Sequence, residues 1–201
     1  ISAGLEASRL HLIPQGLDPR NVEGGSAERI REELDCPGPL VAHIAPLCRD
    51  KGSIDVIQAF ALLNPSEETR LVLVGEPHEE FLKALMDLPS SIRSRIVCLQ
   101  DVSNEWRNDL LAAMDMLALP SRTDSFGRVF LEAWQYGKPV IGAQAGGIPG
   151  VIQHDQNGLL VPFGNPKALA ESLARLLSHP ELGARLGARG KEELPSKYDQ
   201  H

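Results

Sequence analysis

Two carboxylates stand eight residues apart in the segment 117–133, on either side of a short polar and aromatic run. Asp124 follows an apolar run and a Pro-Ser pair, and Glu132 lies about two helical turns further on. A carboxylate accepts paired hydrogen bonds from neighbouring hydroxyls, so these two could hold two ends of an elongated ligand with a sugar or ribose. The alternative is a capping Asp with an exposed Arg128–Glu132 pair at i,i+4, and this segment alone favours that alternative.

The residues between the two carboxylates predict the start of a helix. Either Asp124 or Ser125 can act as its N-cap, because both side chains accept hydrogen bonds from backbone amides one turn on. The apolar face of this helix is formed by five residues: Phe126, Val129, Phe130, Ala133 and Trp134. The amides of residues 126–128 would then stand at the helix start, where the helix dipole favours an anion such as a diphosphate.

Short apolar runs alternate with helical patterns along almost the whole chain. The predicted strands are residues 10–13, 40–45, 70–74, 95–99, 116–119, 139–143 and 159–161. The predicted helices are residues 51–63, 79–88, 104–114, 126–136, 167–177 and 180–194. Continuous Val, Ile, Leu and Ala runs are typical of parallel strands that are covered on both faces. We therefore predict an α/β fold, a Rossmann-like doubly wound parallel sheet, as a single domain over residues 1–201.

Glycine and proline gather directly after the predicted strands, in the segments 45–46, 75–77, 120–121 and 145–150. In a doubly wound fold these loops lie beyond the carboxyl ends of the strands, where ligands bind. Ordinary turn chemistry explains any one of these loops equally well. Their joint placement favours a ligand-binding edge.

The composition bounds the class of protein. The 201 residues are 42% hydrophobic and 23% charged, which provides a core and excludes a disordered chain. A formal net charge of −7 argues against a nucleic-acid partner, and no apolar run approaches the ~20 residues of a membrane span. The sequence begins at Ile1 rather than Met, so we expect a piece of a longer chain.

The segment from Asp124 to Glu132 resembles the acidic-x7-acidic signature of the family 4 glycosyltransferases, which are retaining enzymes of the GT-B fold. Further segments resemble family motifs in the family's order: residues 12–18, 51–52 with 57–60, 71–75, 113–121, 137–141, 146–149 and 157–162. The resemblance runs from about residue 10 to residue 190. It implies the C-terminal, donor-binding half of such an enzyme, with an N-terminal acceptor domain absent from this chain.

The resemblance implies a role for each matching residue. Asp124, where the family more often has Glu, would contact hydroxyls of the donor sugar, and Glu132 would bind the ribose hydroxyls. Lys51 would neutralise the diphosphate. Three consecutive residues would offer backbone amides to the diphosphate and sugar: Ser125, Phe126 and Gly127. The implied donor is a nucleotide-diphospho sugar such as a UDP- or GDP-sugar, with no metal and no separate cofactor.

The sequence also departs from the family pattern. Pro46 stands where members usually carry a second diphosphate-binding Arg, and Arg49 and Arg122 are the nearest candidates to replace it. Gly150 stands where members usually have Glu. These departures leave two interpretations open: a glycosyltransferase that works with its missing domain, and a degenerate, non-catalytic nucleotide-sugar-binding or interaction module.

Other interpretations are less well supported. A nicotinamide-dependent oxidoreductase would need a Gly-x-Gly-x-x-Gly turn, which the loop 46–52 lacks. A GT-B epimerase fits the acidic pair less well. The expected acceptor is a sugar, glycolipid or other small molecule bound by the absent domain. Three scattered cysteines indicate a cytoplasmic protein, and peripheral attachment of the full-length chain to the inner membrane face is an open alternative.

Three further side chains are assigned to packing. His43 lies inside a predicted strand, so we expect a buried, hydrogen-bonded side chain rather than a base. Trp106 and Trp134 occur at core-facing helical spacing. Contact of Trp106 with a nucleotide base is an open alternative.

Overall fold

The structure, a computed structural model, describes residues 22–197. One sheet is formed by β1 (Leu40–Ile44), β2 (Arg70–Val74), β3 (Ile96–Leu99), β4 (Met116–Leu119), β5 (Val140–Ala143) and β6 (Leu159–Val161). The strand order is β3-β2-β1-β4-β5-β6, and every neighbouring pair is parallel. This is the doubly wound order of a Rossmann-like fold, so the predicted fold class is confirmed. The predicted strand 10–13 and the motif 12–18 lie outside the described residues.

Helices connect and cover the strands. They are α1 (Ala27–Glu33), α2 (Ser53–Leu63), α3 (Glu79–Met86), α4 (Ser90–Arg93), α5 (Asn104–Ala113), α6 (Arg128–Gln135), α7 (Pro166–Ser178) and α8 (Pro180–Lys197). The sequence does not predict α1 and α4. In α1 the buried residue is Ile30, and α4 is a single turn, so neither carries an apolar stripe long enough to be recognised.

The helices form a core on each face of the sheet. On one face, α2, α3 and α7 bury Phe60, Phe81 and Leu173. On the other face, α1, α5 and α6 pack around Trp134, whose indole Nε1 donates to the carbonyl of Asn157 at 3.0 Å. The predicted packing role of Trp134 is therefore confirmed. Successive strand residues point to opposite faces, and because both faces are covered the strands need apolar residues throughout.

At the centre of the sheet the order of the strands reverses: β2 and β3 are added on one side of β1, and β4, β5 and β6 on the other. There β1 and β4 lie side by side, with Val41 paired to Met116 and Ala42 to Leu117. The loops that follow these two strands, 45–52 and 120–127, meet beyond their carboxyl ends. Such a switch point forms a crevice in which doubly wound proteins bind their ligands.

Candidate functional site

Backbone contacts fix the two central loops against each other. The Arg122 amide donates to the carbonyl of Asp50 at 3.0 Å, and the Ser121 hydroxyl donates to the same oxygen at 3.2 Å. Gly52 has a φ of 73° and lies so close to Pro120 that a Cβ would overlap the Pro120 carbonyl. Only glycine fits this position, because both the conformation and the close approach exclude a side chain. The loop after β1 is thus held at a defined distance from the loop after β4.

A buried hydrogen-bond chain supports the loop after β1 from below. His43 is fully buried in β1, with Nδ1 2.8 Å from the Ala118 carbonyl and Nε2 2.8 Å from the Ser53 hydroxyl. A carbonyl only accepts, so Nδ1 carries the proton and Nε2 accepts from Ser53. The Ser53 oxygen in turn accepts from the Cys48 amide at 3.2 Å. Its burial and its two hydrogen bonds confirm the predicted packing role of His43, and burial lowers its pKa to about 4.

Lys51 and Asp124 come together where the two loops meet. The Lys51 ammonium lies 2.9 Å from Oδ1 of Asp124, and less than a quarter of either side chain is exposed. The second carboxylate oxygen, Oδ2, is buried and has no hydrogen-bond partner among the described residues. A buried carboxylate oxygen without a donor is costly, so this atom marks a place where a hydroxyl of a ligand could bind.

The loop after β5 supports the backbone that carries Asp124. The Gly147 amide donates to the carbonyl of Asp124 at 2.8 Å. A Cβ on Gly147 would overlap the Ser125 carbonyl oxygen and lie 2.6 Å from its carbon. Gly150, three residues on, has open space where its Cβ would be. The two loops are therefore in backbone contact at Gly147, and that contact sets the height of the 124–125 peptide above the sheet.

The start of α6 differs from the prediction. Neither Asp124 nor Ser125 caps the helix: the N-cap is Gly127, with a φ of 72°, and no side chain accepts from the first-turn amides. The physical reason is that the Asp124 carboxylate pairs with Lys51 and the chain makes a left-handed turn before Arg128, which only glycine adopts readily. Phe126 packs partly buried against the core beneath this turn. The helix start thus presents its dipole to the crevice without a side-chain cap.

Glu132 is buried rather than exposed. Its Oε2 forms an ion pair with the Arg107 guanidinium of α5, and only 8% of the Glu132 side chain is exposed. The alternative of an exposed Arg128–Glu132 surface pair is therefore wrong, because Glu132 faces α5 across the helix interface. All three residues line a polar cavity of about 640 Å³ between α5, α6 and residues 22–24. The sequence gives no signal for Arg107, since its partner is 25 residues away on another helix.

The two candidate replacements for the missing diphosphate-binding arginine both pair with acidic groups. Arg49 donates through its amide to Glu80 at 2.8 Å and through Nε at 3.4 Å. Arg122 forms an ion pair with Asp50 at 2.7 Å and lies over the ring of Phe163. Pro46 is exposed at the same edge. Both guanidiniums are therefore directed to carboxylates.

Several other expectations can be compared with the described residues. The Trp106 indole donates to Glu33 of α1 at 3.0 Å, which agrees with the packing assignment. The three cysteines are free thiols. Within residues 22–197 we find no cluster of His, Cys, Asp and Glu that could hold a metal ion, and no helix long and apolar enough to cross a membrane.

Comparison with known proteins agrees with this architecture. The model of the family described as glycosyl transferases group 1 matches residues 26–193. N-acetyl-alpha-D-glucosaminyl L-malate synthase of Bacillus anthracis is 36% identical over 161 residues, which are 79% of this chain and 41% of that protein. The chain spans about half the length of the curated relatives it matches.

Solved structures show the same fold. HepE of Anabaena in complex with UDP superposes with a TM-score of 0.85 at 25% identity, over 96% of this chain and 55% of that one. The C-terminal domain of LpcC, a group 1 glycosyl transferase of Francisella tularensis, superposes with a TM-score of 0.78 at 22% identity, over 92% of this chain and all of that one. The fold is thus that of a GT-B C-terminal domain, and the chain belongs to the group 1 glycosyl transferase family.

Proposed function

We propose that this chain is the donor-binding domain of a retaining glycosyltransferase and that it binds a nucleotide-diphospho sugar in the crevice above β1 and β4. The observation that carries the proposal is the Lys51–Asp124 pair beside the start of α6, with Glu132 in the adjoining polar cavity. Such a donor has three parts: a diphosphate, a sugar and a nucleoside. The cation and the helix start without a side-chain cap suit the diphosphate, and the two carboxylates suit the hydroxyls of the sugar and of the ribose. HepE, which is solved with UDP and with UDP-glucose, makes a UDP-sugar the expected donor.

The diphosphate would lie against residues 125–127, which directly precede α6. There the backbone amides of Ser125, Phe126 and Gly127 and the ammonium of Lys51 would face its oxygens. Negative charge grows on the diphosphate as the bond to the sugar breaks, and fixed donors stabilise that charge most in the transition state. Such an arrangement needs no metal ion, so we expect metal-independent transfer.

The sugar and the nucleoside would lie on opposite sides of the diphosphate. The unpartnered Oδ2 of Asp124 would accept a hydrogen bond from a hydroxyl of the sugar. The carboxylate of Glu132 would accept from the ribose hydroxyls in the polar cavity. The acceptor, a sugar, glycolipid or other small molecule, would be held by an N-terminal domain that closes over the crevice. We place the protein in the cytoplasm, in keeping with its free thiols.

The pairing of both candidate arginines favours a second possibility. Arg49 contacts Glu80 and Arg122 contacts Asp50, so with Pro46 in the family's usual Arg position the diphosphate lacks a second cation. Loss of one comparable donor costs roughly 2.7–4 kcal/mol of transition-state stabilisation. The chain would then be a nucleotide-sugar-binding module without transferase activity.

Calorimetric titration with UDP, GDP and ADP, each with and without Mg²⁺, tests the donor site. We expect UDP to bind with an affinity that does not depend on Mg²⁺. Glu132→Gln should weaken binding about tenfold or more, because it removes a charged acceptor. Glu171→Gln, an exposed position on α7, is the matched control and should bind as the native chain does. Binding of no nucleotide, or native binding by Glu132→Gln, would overturn the proposal.

Transfer assays on the full-length protein separate the enzyme from the module. Release of free UDP from UDP-glucose in the presence of an acceptor supports the enzyme. If the native protein is inactive and Pro46→Arg restores turnover, the site is otherwise intact and the module interpretation holds for the native sequence. If the native protein is active, the module interpretation fails.

A further inference from the structure

Arg107 lines the cavity and contacts Glu132, a proposed ligand-binding group, and the family resemblance does not account for it. It projects from the first turns of α5 to Oε2 of Glu132, and a quarter of its side chain is exposed. Both side chains line the same polar cavity. Within the described residues, Arg107 contacts Glu132 through one carboxylate oxygen, Oε2.

The helix that carries Arg107 is itself firmly held. Asp109, almost fully buried, accepts from the Ser26 amide at 2.5 Å and forms an ion pair with Arg29. Arg29 also contacts Glu105 at 2.7 Å. The N-cap of α5 is Ser103, whose hydroxyl accepts from the Trp106 amide. These contacts fix α5 against α1, so the guanidinium of Arg107 is anchored at a rigid helix rather than on a loop.

We propose that Arg107 is a positioning residue for nucleotide recognition: it fixes the Glu132 carboxylate through Oε2 and leaves Oε1 to accept a ribose hydroxyl. The inference rests on the proposed function, in which Glu132 binds ribose. A carboxylate on a flexible side chain loses rotational freedom when it binds a ligand, and a carboxylate already held in place has given up that freedom before binding. The guanidinium also compensates the buried negative charge of the carboxylate, which would otherwise be costly to hold at the helix interface.

Two alternative roles lead to different results. A purely structural ion pair would affect stability but would not change which nucleotide the cavity prefers. A direct contact of Arg107 with phosphate or base would weaken the binding of every nucleotide equally, whether or not its ribose is complete. Positioning through Glu132 weakens the interaction with the ribose hydroxyls specifically. Discrimination between UDP and 2′-deoxy-UDP therefore separates the three roles.

The experiment is calorimetric titration of the chain with UDP and with 2′-deoxy-UDP. We expect the native chain to prefer UDP by about tenfold, the value of one hydrogen bond to a charged group. Arg107→Gln should reduce that preference to less than about threefold, and Arg107→Lys should restore most of it. Arg185→Gln, an exposed arginine of α8, removes the same charge elsewhere and should keep the full preference.

A double-mutant cycle completes the test. In the Glu132→Gln background, Arg107→Gln should cause no further loss of UDP affinity, because the group it positions is already changed. In the double variant two neutral amides replace the ion pair, so no buried charge is left without a partner. If Arg107→Gln alone unfolds, the comparison of Glu132→Gln with the double variant still tests the inference. Retention of the native UDP preference by Arg107→Gln, or additive losses in the cycle, would overturn the inference and leave the donor site standing. Failure of the native chain to bind UDP, GDP and ADP would instead refute the proposed function, and the inference with it.

Discussion

Gly147→Ala is expected to weaken nucleotide binding although residue 147 contributes no side chain to the site. The loop after β5 lies directly beneath the backbone of residues 124 and 125, and the Gly147 amide donates to the Asp124 carbonyl. A Cβ at this position would overlap the Ser125 carbonyl oxygen and lie 2.6 Å from its carbon. Backbone atoms cannot rotate away as a side-chain end can, so one loop has to move.

The size of the movement follows from the distances. Ordinary van der Waals contact of a Cβ begins at about 3.4 Å, and the overlap with the Ser125 carbonyl oxygen is deeper than that with its carbon, so the two loops must part by roughly 1.6 Å. A shift of this size breaks the Gly147–Asp124 hydrogen bond and displaces the carboxylate of Asp124 from the Lys51 ammonium. Overpacking of this kind costs about 1–3 kcal/mol of stability. The same shift moves the Ser125 backbone, whose amide is proposed to bind the diphosphate, and loss of one charge-assisted contact there weakens UDP binding roughly tenfold to a hundredfold.

The assay is the UDP titration combined with thermal unfolding. Gly150→Ala is the matched control: it lies in the same loop, three residues on, and its Cβ would meet open space. We expect Gly150→Ala to bind UDP and to unfold like the native chain, whereas Gly147→Ala loses both affinity and stability. Native affinity in Gly147→Ala would refute the reasoning, because it would show that the height of the 124–125 peptide does not matter for the ligand.

Four further variants are expected to change stability or binding. His43 has a pKa of about 4 in the folded state and about 6.5 when unfolded, so between these pH values the unfolded chain binds an extra proton. The free energy of unfolding should therefore fall by about 3 kcal/mol as the pH drops from 6.5 to 4. Denaturant titrations across this pH range should show a weaker dependence of the unfolding free energy on pH for His43→Gln than for the native chain. Lys51→Met should lower UDP affinity at least tenfold and make that affinity less dependent on salt concentration. Asp124→Asn should lower the affinity for UDP-glucose more than the affinity for UDP. Calorimetry measures both effects. Asn157→Ala should destabilise the fold by about 2–3 kcal/mol in thermal unfolding, because the buried amide accepts from the Gln153 amide and donates to Glu193; unchanged stability would contradict this role.

The sequence predicts the sheet well because its strands are buried on both faces. All six described strands begin and end within one residue of the prediction, and three of them coincide with it: Arg70–Val74, Met116–Leu119 and Leu159–Val161. Such runs of apolar residues have a simple physical cause and few alternatives. The helices α1 and α4 have no comparable pattern, because α1 is fixed mainly by polar contacts such as that between Arg29 and Asp109.

The candidate site is only partly predictable for a related reason. The approach of Lys51 to Asp124 could be expected, since both follow central strands whose carboxyl ends lie at one edge. The partner of Glu132 could not, because an arginine in an amphipathic helix is ordinarily a solvated side chain. The predicted N-cap of α6 is wrong because the Asp124 carboxylate pairs with Lys51 instead of accepting from the helix amides. Residue preferences for the N-cap position do not include such a contact between distant loops.

The strand order has a consequence for how the site comes into being during folding. β1, β2 and β3 are consecutive in the chain and pair with one another, and so do β4, β5 and β6. The two halves meet at the pairing of β1 with β4, which joins residues 75 positions apart, such as Val41 and Met116. Contacts of such long sequence separation form late, because closing a long loop costs entropy before any contact is gained. Lys51 belongs to the first half and Asp124 to the second, so the crevice does not exist in either half alone. A nucleotide bound there would contact both halves, and by mass action it would stabilise the state in which β1 and β4 are paired.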